Sequence, residues 1–259
     1  VSGAMIAAYY DRNGYPNMYT GPTNGGVMPL TDTSWPSWYS SVPDAYDPYP
    51  SNPLIASKNG VDGRTTKGSI DDYWVSYGST ADDPYITGGW PQHAYSDAIG
   101  DYMKTSRSIY GYPDGATLFY NWSNSSDPMT CSDMESVNID HLDGTYGRKR
   151  FYEARGYSVG ECYNQKTDTQ VADGFSLSDF QAEINTGYPV LLNLFGHSVV
   201  GYGYSGSTIY IRDTWDSNPE NTYTMPWGGS YDPPGMDPME LLSVSVVHLD
   251  PLTPSPAAP

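Results

Sequence analysis

The sequence predicts an α+β fold, and three observations carry that prediction. Helix-like segments concentrate in the first part of the 259-residue chain and strand-like segments in the last, the segregation that marks α+β. The chain is rich in Gly, Pro and Tyr, with 25 Tyr against 5 Phe, which suits many short elements rather than a helical bundle. Near the carboxyl end, residues 196–204 and 209–215 flank Ser205-Gly206-Ser207 and read as two strands joined by a hairpin.

The elements follow in chain order. Ser2 to Tyr10 read as a helix. Ala4, Ala7 and Ala8 have high propensity, and Met5, Ile6 and Tyr9 form an apolar stripe. Gly14 and Pro16 stop it. From Tyr15 to Gly89 the chain is dense in Gly, Pro, Ser, Asp and Tyr, with turn signals at Asn24-Gly25-Gly26, Asn59-Gly60 and Asp62-Gly63. So long a stretch without periodic segments is unusual inside a compact domain. It is expected to be a loop-rich surface insertion (15–89) within one domain spanning 1–250, with a short helix near Ser69–Tyr77. Its Trp and Tyr content speaks against a disordered linker.

A helix is expected from Ala94 to Thr105, with Tyr95, Ala98, Ile99, Tyr102 and Met103 on one face. Ala116–Trp122 reads as a strand. Tyr146–Ala154 reads as a helix ended by Gly156, with a strand around Tyr157–Val159. The run from Phe175 to Phe180 carries a strong helix start. Ser176 is the expected N-cap, Asp179 sits near the positive end, and Phe175 and Phe180 occupy hydrophobic-staple positions. That helix ends at Gly187, before Pro189. Strands are expected at Val190–Tyr204, Thr208–Asp213, Thr222–Met225 and Ser243–Leu249. Residues 251–259 have the composition of an extended Pro-rich linker.

Charge narrows the function classes. Lys and Arg total 12 against 30 Asp and Glu, a formal net charge of −18. Nucleic acid and anionic membrane both demand cationic charge, so neither is expected as a partner. No segment approaches the roughly 20 apolar residues that span a bilayer. The balance suits a secreted protein, extracellular or at the cell surface. The first residues, Val1-Ser2-Gly3-Ala4-Met5, fall inside a helix and do not begin with Met. A segment upstream is expected, and the Pro-rich tail suggests another downstream.

Cys131 and Cys162 are either one disulfide or two buried thiols; the count alone does not choose. Asn121-Trp122-Ser123 and Asn124-Ser125-Ser126 match a glycosylation sequon. The acidic run from Asn138 to Gly144 does not have calcium-loop spacing and reads as a solvated turn. His93, His141 and His248 show no obvious partner, and His248 reads as a core or edge residue of the last strand. No metal and no cofactor are expected.

The hairpin places one histidine and one aspartate in chemical range. With Gly206 at its centre, strand partners have numbers that sum to about 412 by simple ladder counting. His197 then faces Trp215, and Asp213 lies diagonally on the same face, with Cβ atoms roughly 7–8 Å apart. A one-residue shift in the turn would put the two on opposite faces. Asp216 is the alternative carboxylate. Gly196 and Gly201 flank His197, and glycine inside a strand marks a close approach of backbone or ligand. The same pattern also fits a core histidine satisfied by a neighbouring aspartate.

Residues 1–15 resemble the stretch just after the nucleophile in secreted relatives of the bacteriocin-processing, double-glycine-leader peptidases, which are papain-like cysteine peptidases. Further similar segments follow in the same order: Gly100 to Ser106, Phe151 to Tyr157, Gly187 to Leu192, Gly196-His197, Asp213-Thr214-Trp215-Asp216 and Trp227 to Tyr231. The resemblance implies a papain-like fold, with the N-terminal helix packed on a C-terminal antiparallel sheet. It also implies a peptide or protein substrate cleaved by a Cys-His-Asp mechanism. In that family the nucleophile sits in a Cys-x-Pro element opening the first helix, with an oxyanion-hole glutamine slightly upstream. By this alignment both precede Val1. His197 carries over as general base and Asp213 as its orienter, and the nucleophile carries over to no residue of this chain. Ser2 reads as a helix residue. Cys131 and Cys162, expected in mid-chain loops, are not candidates.

Two functional expectations stand side by side. One is a secreted cysteine-peptidase-like hydrolase. The other is an inactive extracellular module on the same frame, with the Tyr-rich insertion serving self-association or glycan contact.

Overall fold

The computed structural model describes residues 2–16, 18, 99–105, 116–214 and 222–251. The short helix expected near Ser69–Tyr77 and most of the 15–89 insertion, with its expected contacts, lie outside these residues, as do His93, Trp215 and Asp216.

Helix α1 covers Ser2–Arg12, so the propensity of its alanines is realised. Helix α2 is the short Ile99–Tyr102, the described remnant of the segment expected at Ala94–Thr105. Strand β1, Met129–Thr130, leads into helix α3, Cys131–Ser136. Thr130 caps α3 through a box with Asp133, so this helix starts on local hydrogen bonds rather than on apolar periodicity. Helix α4 spans Gly144–Ala154 and strand β2 Val159–Lys166. Helix α5, Leu177–Thr186, has the expected Ser176–Asp179 capping box, and its chain leaves through Gly187 at φ 91°. The staple residues Phe175 and Phe180 are both buried in one cluster.

The remaining strands are β3 Val190–Leu194, β4 His197–Ser205, β5 Thr208–Arg212, β6 Tyr223–Pro226, β7 Ser230–Tyr231 and β8 Met239–Leu249. They pair in the order β1-β2-β8-β3-β4-β5-β6, with β7 on β8, and every pairing is antiparallel. The α+β class is therefore observed.

Side-chain alternation divides the core into two layers. From β3, Leu191 enters one cluster while Val190, Leu192 and Leu194 enter the other. From β8, Val247 and Leu249 join the first, and Val244 and Val246 the second. Period-two alternation with both faces apolar is what a covered central strand requires. α1 and α4 cover one face through Met5, Ile6, Tyr10, Phe151 and Tyr152. α5 covers the other through Phe180.

Several expectations are corrected. The segment Val190–Tyr204 is two strands, because Gly196, at φ 79°, turns the chain back after Phe195. Ala116–Trp122 is not a strand; its one ladder contact is an isolated bridge from Leu118 to Asp143. Neither cysteine lies in a loop: Cys131 opens α3, Cys162 lies in β2, and the two form a disulfide. The acidic run is not wholly solvated either. Asp143 is buried as the N-cap of α4. His248 has partners: Nδ1 lies 2.8 Å from Glu161 and Nε2 2.6 Å from Glu183, with the ring stacked on Tyr188. That clamp ties β2, β8 and α5 together.

Candidate functional site

The site forms where the head of α1 meets the β3–β4 turn. Its geometry depends on one irregularity in the hairpin. Close to the turn, Ser205 pairs with Thr208 and Gly203 with Tyr210, a sum of 413. Beyond it, Gly201 pairs with Ile211 and Val200 with Arg212, a sum of 412. The change occurs across Tyr202, a β-bulge. Without that extra residue the ladder would set His197 and Asp213 on opposite faces. The bulge, not the turn alone, restores the shared face.

Gly201 shows why this strand needs glycine. A Cβ there would meet the Phe180 ring at 2.6 Å and Leu192 at 3.0 Å. The ring of α5 packs directly on the strand backbone, as close approach demands.

The His197 Nε2 lies 2.7 Å from the backbone carbonyl oxygen of Asp213 and 3.2 Å from the Thr214 hydroxyl. A carbonyl accepts and never donates, so Nε2 carries the hydrogen and the lone pair of the neutral ring sits on Nδ1. Burial pushes the His197 pKa below 6.5, opposed by the hydrogen bond to Asp213 and by its charge. The neutral, proton-accepting form is thus favoured near neutrality.

Asp213 is buried, and its Oδ2 accepts a hydrogen bond of 2.9 Å from Tyr231 on β7. Thr214, next in the chain, has φ 70°. A β-branched residue is strained in that region, which costs of order 1–3 kcal/mol. The strain accompanies placement of the Asp213 carbonyl and the Thr214 hydroxyl on the same ring nitrogen.

The start of α1 approaches the histidine's neighbour directly. The Ser2 hydroxyl donates to the Ser198 carbonyl at 2.8 Å. Ser2 and His197 line one groove of about 690 Å³. The groove gathers the first described turn of α1, a neutral imidazole and a floor of polar side chains. No thiol of the described residues reaches it, since Cys131 and Cys162 are joined to each other elsewhere. Glu161, Glu183 and His248 bring three potential metal-ligating atoms within 4.8 Å of one another. Both ring nitrogens of that histidine already face carboxylates.

Sequence reasoning singled out His197 and Asp213 and missed Tyr231, Thr214 and the groove floor. Tyr231 sits 18 positions from Asp213, and the pairing of β7 with β8 and its ring contact with Tyr223 of β6 return it to the site.

Residues 110–231 match the family model described as Peptidase_C39 like family, which relates this part of the chain to papain-like cysteine peptidases of that type. The matched stretch contains His197, Asp213 and Tyr231. No curated protein and no solved structure matches the chain.

Proposed function

We propose that this protein is a peptide-bond hydrolase of the cysteine-peptidase kind on a papain-like frame, with His197 as general base and Asp213 as the group that orients it. The observation that supports this most is the meeting of the α1 head and His197 at one groove, through the 2.8 Å contact of Ser2 with Ser198. A thiol carried at the head of α1 would lie at the positive end of the helix and near the lone pair on Nδ1. Both influences lower a thiol pKa from about 8.5 and generate thiolate at neutral pH.

In this reading His197 takes the thiol proton at Nδ1, and the thiolate attacks the peptide carbonyl carbon. The imidazolium then delivers the proton to the leaving amine, and water hydrolyses the acyl-enzyme with His197 again as base. The Asp213 carbonyl and the Thr214 hydroxyl hold the ring through Nε2. The Asp213 carboxylate, fixed by Tyr231, favours the imidazolium that forms during proton transfer. This reading requires a nucleophilic thiol at the head of α1, and secretion fits the disulfide and the acidic composition.

The test is alkylation of the natural protein by iodoacetamide at neutral pH. A thiol preceding Ser2 is expected to react faster in the wild type than in His197→Ala, with the disulfide-bonded pair unlabelled. Equal rates, or a gene with no cysteine codon ahead of α1, would count against the hydrolase.

A further inference from the structure

The groove floor is a row of side chains set by strand register. Ser198 on β4 pairs with Asn193 on β3, Asn193 with Ser243 on β8, and Ser243 with Lys166 on β2. Directly opposed residues share a face, so all four project from one side of the sheet, and all four line the groove. Three are joined in series. The Ser198 hydroxyl donates to Asn193 at 3.3 Å, and the Asn193 amide donates to the Ser243 hydroxyl at 3.1 Å. Asn121 adds a second amide on Ser243 at 3.3 Å.

Two groups that line the groove, one in this row and one beside it, are not satisfied in kind. The Asn121 Oδ1 is buried without a hydrogen-bond partner among the described residues. A buried acceptor left so costs about 1–3 kcal/mol, and a donor entering the groove would remove that cost. The Lys166 ammonium donates to the neutral carbonyl of Ser123 at 2.7 Å and has no carboxylate partner among the described residues. No described Asp or Glu lines the groove, although the whole chain carries −18. Among the described residues that line the groove, Lys166 is thus the one Lys or Arg, in an acidic protein.

We infer that Lys166 binds a carboxylate of an extended peptide lying along this row, while Asn121 Oδ1 accepts a backbone N–H of the same peptide. The inference rests on the peptide-hydrolase reading and deepens it to a substrate class. Distance fixes the position. Ser198 and Lys166 are three strand spacings apart, about 14 Å. An extended peptide advances about 3.3 Å per residue, so the carboxylate falls roughly four residues from the bond presented to His197. It is either an Asp or Glu side chain or a chain terminus, and both offer the same oxygens to an ammonium.

The test is capture of randomised octapeptides on immobilised protein at neutral pH, with one library amidated at its C-termini and one free. The expected result is about tenfold enrichment of carboxylate-bearing peptides, the scale of one charge-assisted hydrogen bond. That enrichment should vanish in Lys166→Met and persist in Lys166→Arg. Asn121→Leu should lower capture of all sequences alike. Enrichment in the amidated library assigns a side chain, and enrichment confined to the free library assigns the terminus. Capture without acidic preference, or a preference that survives Lys166→Met, overturns the inference and leaves the peptide reading intact. Capture of no peptide by the wild type overturns both. Capture by Asn121→Leu equal to the wild type removes the N–H contact from the proposal.

Discussion

At the scale of single residues, the site turns on which atom of His197 is held. Nε2 is held by a carbonyl and a hydroxyl, so burial acts on a ring whose tautomer is already chosen. The depressed pKa has a definite sign in the stability of the protein. Below 6.5 the unfolded chain takes up a proton that the folded protein resists. Stability is therefore lost as pH falls from 6.5 through the folded-state value. An NMR titration should find the His197 midpoint below 6.5. Urea denaturation from pH 7.5 to 5 should show a fall in stability that is smaller in His197→Gln. A midpoint at or above 6.5 would contradict the burial argument. That His197 and Asp213 come together was legible from spacing, because a hairpin is a local structure; that Nε2 meets the Asp213 backbone carbonyl was not. The bulge at Tyr202 was not: nothing in Gly201-Tyr202-Gly203 states that a residue is to be skipped. The pairing of Asp213 with Tyr231 was equally hidden, since it requires β7 to be placed by β8.

At the scale of elements, helix ends were more legible than strand ends. The Ser176–Asp179 box and Gly187 bound α5 as their chemistry requires. The same signal at Thr130–Asp133 went unread because α3 is only six residues long and lacks an apolar stripe. Asp143 went unread for a different reason: its partners come from three segments. Its Oδ1 accepts from the N–H groups of Thr145 and Tyr146, and its Oδ2 from Tyr120 N–H and the Asn164 amide. Burial pushes its carboxyl up to about 6, against the pull of these donors. A raised carboxyl pKa stabilises the folded state most below 3.8, and that contribution is lost as pH rises through about 6. Asp143→Asn keeps the volume but turns one oxygen into a donor facing two donors. The expected loss is about 2–4 kcal/mol in urea denaturation at pH 7, with that part of the pH dependence abolished. A loss under about 0.5 kcal/mol would mean that the cap does not hold α4 against β2 and the 116–122 segment.

At the scale of the whole molecule, the sheet and its two covering layers form one body, and a third cluster hangs at its edge. Met129, Cys131 and Met134 pack with Tyr120, Trp122, Ile139 and Tyr146, and Cys162 links this cluster to the first layer. The sequence showed the α+β division because α1 and the late strands have clean patterns, but it left the disulfide open because two cysteines fix a number and not a distance. The bond joins this edge cluster to β2 across a separation of 31 residues. Closing a loop of that length restricts the unfolded chain by about 3–4 kcal/mol. The His197 end of the groove is built from β3, β4 and the α1 head, which the disulfide does not tie directly; it reaches only β2, which carries Lys166 at the far end. Replacing both cysteines by serine should therefore lower global stability by about 3 kcal/mol. It should also open the edge first. In hydrogen exchange, amides of 129–146 should lose protection by local unfolding, while those of β3 and β4 exchange through global unfolding only. The His197 titration midpoint should stay where it was. Equal loss of protection in β3, β4 and residues 129–146 would show instead that edge and groove unfold as one unit. The disulfide would then be part of what holds the imidazole in place.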